Sequence, residues 1–136
     1  MCACGNIRKA VRVVTQLYDD TFRSLGVKAT QISLLGTCGK LGGATISQLA
    51  DALLMDRTTL TRNLRPLEKR GLLQIKLGKD RRQREVILTQ RGEGLLARAY
   101  PLWRKAQSQV TDGLGEARMG RLLTDLSAVV EIAQKR

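Results

Sequence analysis

The sequence predicts a mainly α-helical chain carrying one small β-hairpin, and three observations carry that prediction. Apolar residues recur at three- and four-residue steps over most of the chain, the period of amphipathic helices. Strict alternation is confined to two short segments either side of a charged tip, GKDRRQR. Glycines and N-capping residues punctuate the helical stretches. A chain of 136 residues can bury a core without disulfide or metal, so one domain spanning 1–136 is expected, with no cofactor and no metal.

The elements follow in order. Residues 6–25 read as a first helix, capped by Asn6 and striped by Ile7, Val11, Val14, Leu17, Tyr18, Phe22 and Leu25; Gly26 stops it. A second helix starts at Thr30 and places Ile32, Leu35 and Cys38 on one face. The stretch GKLGGA (39–44) is glycine-rich and predicts a loop. Thr45 and Gln48 have capping-box spacing at the head of a short helix whose stripe is Ile46, Leu49, Ala50 and Leu53. Only Met55 and Asp56 separate it from the next helix, which Asp56 caps and Leu60, Leu64 and Leu67 anchor. Two helices so closely joined predict a helix-turn-helix.

Gly71 ends that helix. Leu73, Ile75 and Leu77 alternate with Gln74 and Lys76, and Val86 and Leu88 return beyond the tip, which makes a hairpin wing at about 73–88. Thr89 caps a long fifth helix striped by Leu95, Leu96, Ala99, Leu102, Trp103, Ala106 and Val110, broken by Gly113 and Gly115. Pro66 and Pro101 fall inside helices and predict a kink or gap at each. A last helix carries Met119, Leu122, Leu123, Leu126, Val129, Val130 and Ala133. The fold class is therefore a winged helix-turn-helix with long N- and C-terminal helices. The lobe at 29–91 is too small to cover the apolar stripes of 1–28 and 92–136, so these predict a homodimer.

Charge narrows the partner. Lys and Arg total 24 against 12 acidic residues, with no histidine, for a net charge of +12. Such an excess favours a polyanion. Membrane binding needs an aromatic-rich apolar face beside the charge, and only Tyr18, Phe22, Tyr100 and Trp103 are aromatic. No apolar run is long enough to cross a bilayer, and the N-terminus lacks a signal-peptide core, so a cytoplasmic protein is expected. Without histidine, a glycine-rich phosphate cradle or a carboxylate cluster, nothing points to an enzyme.

The order of elements resembles the MarR family of bacterial regulators. The resemblance is most specific from TISQLADALLMDRTTLTRNLRPLEKRGLL through KDRRQREVILTQRGEGLL, with ATQISLL similar to the family's second helix and Asp80-x-Arg82 similar to its wing motif. It implies a dimeric repressor, often ligand-responsive, on a pseudo-palindromic operator in double-stranded DNA. It also implies that Asp80 holds a neighbouring arginine in place.

A recognition helix at about 57–70 suits the major groove, where each base pair shows its own donor and acceptor pattern. Arg62 is expected to read guanine, and Arg57, Thr58, Thr59 and Thr61 to meet bases or phosphates, with Asn63 a weaker candidate turned sideways. Arg65 and Lys69 lie nearer the helix end and suit phosphate. Arg82 is placed for the minor groove; Lys79, Arg81, Arg84, Ser47 and Gln48 suit the backbone.

Two switches are legible. The four aromatics could sandwich a planar effector whose carboxylate meets Arg8 or Arg12, although plain dimer core fits the same spacing. Cys2 or Cys4, just before the first helix, could be an oxidation-sensitive thiolate; some family members sense oxidants in that helix, but with tyrosines on the second helix that this chain lacks. Cys38 reads as a small buried hydrophobe. A non-specific architectural DNA-binder is the alternative to a regulator, and a winged-helix module for protein partners a further one.

Overall fold

The computed structural model describes residues 1–135; Arg136, the end of the expected 1–136 domain, lies outside them. The chain runs α1 (Ala3–Phe22), a 3-10 turn (Arg23–Leu25), α2 (Ala29–Leu41), β1 (Ala44–Thr45), α3 (Ile46–Leu53), α4 (Arg57–Lys69), β2 (Leu73–Leu77), β3 (Arg84–Leu88), α5 (Gln90–Leu114) and α6 (Glu116–Gln134). The three strands form one antiparallel sheet in the order β1-β3-β2. In the hairpin Leu73 faces Leu88 and Ile75 faces Val86, while β1 sets Ala44 against Val86 and Thr45 against Glu85.

A single core joins these elements. Leu35 of α2, Leu49 of α3, Leu60, Leu64 and Leu67 of α4, and Val86 of β3 are fully buried together. Burying each such side chain is worth about 1.5–3 kcal/mol, so this cluster is what holds α4 against the sheet. Beside the core, α5 lies along α1; Ala99 and Ala106 of α5 are buried, and Tyr18 Oη donates to Gln107 Oε1 at 2.6 Å. No residue of α6 is buried. Leu122, Leu123, Leu126, Val129, Val130 and Ile132 face solvent, as do Val11, Val13 and Val14 of α1.

Several boundaries differ from the expected ones. Helix α1 begins at Ala3, so the cap is Cys2, whose Sγ accepts from the Gly5 amide at 3.4 Å. Asn6 sits inside the helix and donates to the Cys2 carbonyl. Cys4 therefore lies within the first turn rather than before it. The segment 39–44 is not all loop. Gly39, Lys40 and Leu41 complete α2, and the helix stops at Gly42, whose φ of 64° needs glycine. Ala44 and Thr45 form a strand that two residues of sequence could not announce. Gly113 stays within α5, and Gly115 alone separates it from α6. Both α4 and α5 run continuously through their prolines.

Candidate nucleic-acid interface

The turn between α3 and α4 sets the pose of the exposed helix. Leu54 adopts a left-handed conformation (φ 52°), and the Met55 amide donates to the Ala50 carbonyl. Asp56 then caps α4 twice: Oδ2 accepts from the Thr59 amide at 2.9 Å and Oδ1 from the Thr59 hydroxyl at 2.6 Å. These bonds hold the Asp56 carboxyl below its ordinary pKa. The core anchors Leu60, Leu64 and Leu67 fix the rotation of the helix, so the opposite face must point outward.

On that face Arg57, Thr58, Thr61, Arg62 and Arg65 line a shallow depression of about 380 Å³. Next to it, Arg57 and Thr61 also line a narrower crevice of about 160 Å³ with Thr45, Ile46 and Ser47 from the head of α3 and Arg82, Gln83 and Arg84 from the wing. The recognition helix, the preceding helix and the wing thus present one continuous basic surface. Lys69 is exposed at the last turn of α4, and Lys79 and Arg81 at the wing tip; none of the three lines either hollow.

Three side chains expected to face DNA are engaged otherwise. Thr59 spends its hydroxyl on the Asp56 cap, because it stands three residues along, where the carboxylate is within reach. Gln48 lends its amide oxygen to the Thr45 amide, closing the capping box. Thr61 Oγ1 donates to the Arg57 carbonyl at 2.8 Å, so its oxygen lone pairs and its methyl group, but not its hydrogen, remain for a partner. Asn63 does turn aside, toward Met55 Sδ. Among the described residues Asp80 makes no ion pair with an arginine side chain. Its Oδ1 accepts from the backbone amide of Arg82 at 3.0 Å and its carbonyl from the Gln83 amide at 2.9 Å, so it shapes the tip through the main chain.

Residues 25–83 match the family model described as MarR family. The DNA complex of the M. tuberculosis transcriptional regulator MosR superposes with a TM-score of 0.92, at 36% identity over 99% of this chain and 98% of that one. The chain belongs to the MarR family. Another MosR structure matches at 33% identity over 99% of this chain and 97% of that one, TM-score 0.84. A mutant of Escherichia coli MarR complexed with operator DNA shares the fold at 22% identity, TM-score 0.85, covering 90% and 89% of the two chains. The uncharacterized HTH-type transcriptional regulator YwoH of Bacillus subtilis (strain 168) is 26% identical over 87 residues; the match spans 64% of this chain and 64% of YwoH, less than two thirds of its length. This MarR-family chain is a transcriptional regulator and, like the proteins it matches, not an enzyme. Among the described residues no helix is long and apolar enough to cross a membrane.

Away from the basic face, α1, α2 and α5 enclose a cavity of about 630 Å³. Tyr18, Phe22, Tyr100 and Trp103 all reach it, and the Tyr100 and Trp103 rings stack with centroids 6.0 Å apart. Arg8 and Arg12 do not line it, because they precede the part of α1 that crosses α2 and α5. Among the described residues the one cation in its wall is Lys40, in the last turn of α2, a residue expected from the sequence in a loop.

Proposed function

We propose that the protein is a sequence-specific, dimeric DNA-binding repressor acting in the cytoplasm. The observation that carries this reading is the outward face of α4, where arginines and threonines surround one hollow while leucines fix the opposite face in the core. Resemblance to the MosR–DNA complex across nearly the whole chain supports the same role. The exposed apolar residues of α1 and α6 support a two-fold dimer, which would offer two such faces to a pseudo-palindromic operator. Gel retardation on duplexes selected from genomic DNA tests the reading. It predicts a shift that scrambled duplex of equal composition fails to compete. Equal competition by scrambled DNA would support the architectural alternative.

The cavity supports a small planar effector with an anionic group. Stacked aromatics supply the faces and Lys40, rather than Arg8 or Arg12, the charge. A ligand there would act by favouring a dimer whose recognition helices are wrongly spaced for successive major grooves. Titrating aromatic acids into the DNA complex tests this; release that Lys40→Met abolishes is the expected result.

An oxidation response is a second reading, favoured by the place of Cys2. Its sulfur caps α1, and Cys4 stands two residues on, both exposed. Oxidation of Cys2 by peroxide would convert the capping sulfur to a bulkier, oxygen-bearing group and so alter the first turn of α1. Release of DNA by peroxide that persists in Cys2→Ser and Cys4→Ser would contradict it.

A further inference from the structure

We infer that Glu68, near the end of α4, is a positioning residue that sets the angle of the wing, and with it the reach of Arg82 toward the minor groove. The inference rests on the proposed DNA binding and gives Glu68 no contact with DNA.

Glu68 follows Thr61 by seven residues and Arg57 by eleven, close to whole helical turns, so the three share one stripe of α4. Arg57 and Thr61 line the crevice against the wing, and the exposed Glu68 continues that wing-facing stripe toward the helix end. A carboxylate beside a phosphate strand is repelled by it. Among the described residues no cation pairs with Glu68 within 4.0 Å to offset that charge. Its partner is main chain instead: Oε2 accepts from the Ile75 amide at 3.3 Å.

The sheet explains why that amide needs a partner. In the order β1-β3-β2, strand β2 is an edge. At the base of the hairpin the Thr89 amide donates to the Leu72 carbonyl, and at its tip the Gly78 amide donates to the Gln83 carbonyl. Bonded and non-bonded pairs alternate along an antiparallel ladder. Ile75, opposite Val86, therefore falls at a non-bonded pair and turns its amide to the open edge. Glu68 takes the place that water or another strand would fill. Among the described residues this is the only hydrogen bond from α4 to either wing strand.

Two grips thus hold the wing at one level. On one side β1 sets Ala44 opposite Val86; on the other Glu68 holds Ile75, which faces the same Val86. The tip with Arg82 projects beyond both. About five residues separate Ile75 from that tip, a reach of about 15 Å, so a swing of about 10° displaces Arg82 by about 2–3 Å. A hydrogen bond tolerates far less. Loss of the outer grip leaves the β2–β3 ladder paired but the angle of the wing to α4 unset.

Amide exchange and a mutant cycle test this. In the free protein, Glu68→Ala should speed exchange of the Ile75 amide about ten-fold, whereas Glu68→Gln, which keeps an acceptor oxygen, should retain most of the protection. On a selected duplex Glu68→Ala should weaken binding about three- to ten-fold, and less than about two-fold when Arg82→Ala is also present. Glu68→Gln should bind at least as tightly as wild type. Unchanged Ile75 exchange, no loss of affinity, equal losses with and without Arg82, or equal gains for Ala and Gln would each overturn the inference while leaving DNA binding intact. Absence of any wild-type binding would sink both readings.

Discussion

Arg70, at the end of the recognition helix, donates from Nη1 to the carbonyl of Gly26 at 2.9 Å, across 44 residues of sequence. Gly26 is the left-handed residue (φ 66°) that closes the turn between α1 and α2. The bond ties the reading helix to the joint from which the long helices spread, and Phe22 and Ala29 on either side of that joint line the aromatic cavity. Removing the guanidinium should cost about 1 kcal/mol, since water can reach the freed carbonyl. Urea unfolding of Arg70→Ala checks the value. Arg70→Lys should recover only part of it, because a lysine lacks the planar fork.

Gly92 is where α5 comes closest to the sheet. A Cβ there would overlap the Leu72 carbonyl oxygen and press on Leu88 Cδ1 at 2.7 Å. Gly92 is buried, and its amide donates to the Thr89 hydroxyl that caps the helix. Gly92→Ala should therefore destabilise by about 3 kcal/mol. Gly94, two residues on, has nothing within 4 Å of such a Cβ. Gly94→Ala should gain about 0.5–1 kcal/mol from helix propensity alone. Thermal unfolding of the two variants side by side separates close packing from propensity.

The Asp56 cap makes the head of α4 acid-sensitive. Hydrogen bonds from Thr59 lower the folded-state pKa of Asp56 below its unfolded value. A depressed carboxyl contributes stability that is present above the unfolded pKa, about 3.9, and is lost as pH falls through the folded pKa. The substitution Asp56→Asn keeps a capping oxygen but removes the titrating group. Wild type should exceed that variant in melting temperature at about pH 7, and the gap should narrow as pH falls below the unfolded value of about 3.9 and through the lower folded one. A gap unchanged across that range would refute the assignment.

Helices were legible wherever periodicity alone decides them, and the Thr45, Asp56 and Thr89 caps followed from their side chains. Some of the failures come from contacts distant along the chain. Gly39 looks like a breaker, yet a Cβ there would stand 3.2 Å from Leu88 Cδ2, so glycine serves close packing of α2 on β3. Strand β1 exists only through its pairing with β3. The start of α1 escapes the sequence because a cysteine sulfur is an uncommon cap. In the candidate site, the composition of the α4 face could be read from spacing, whereas the use of the Thr59 hydroxyl by Asp56 could not. Gln83, Arg70 and Lys40 carried no motif; the fold alone brings them to the crevice, the joint and the cavity. Cys38 is buried as its spacing predicts, and its thiol, donating to the Val86 carbonyl at 3.6 Å, is pushed up in pKa by burial.

The roles assigned along α4 separate by position. Arg62 should read a base, so Arg62→Ala should weaken binding to a selected duplex by about 1–3 kcal/mol and relax base preference. Lys69, exposed at the far end, should serve any duplex alike, and Lys69→Ala should lower affinity uniformly and flatten the salt slope by about one. Anisotropy titrations on selected and scrambled DNA distinguish the two; equal losses for both variants on both duplexes would contradict the division.

Sedimentation of the protein with a selected duplex, combined with a hydroxyl-radical footprint, bears most directly on a paired reader of DNA. Two chains per duplex, protecting half-sites about 10 base pairs apart centre to centre, are the predicted result. One chain per duplex, or protection confined to a single half-site, would contradict it.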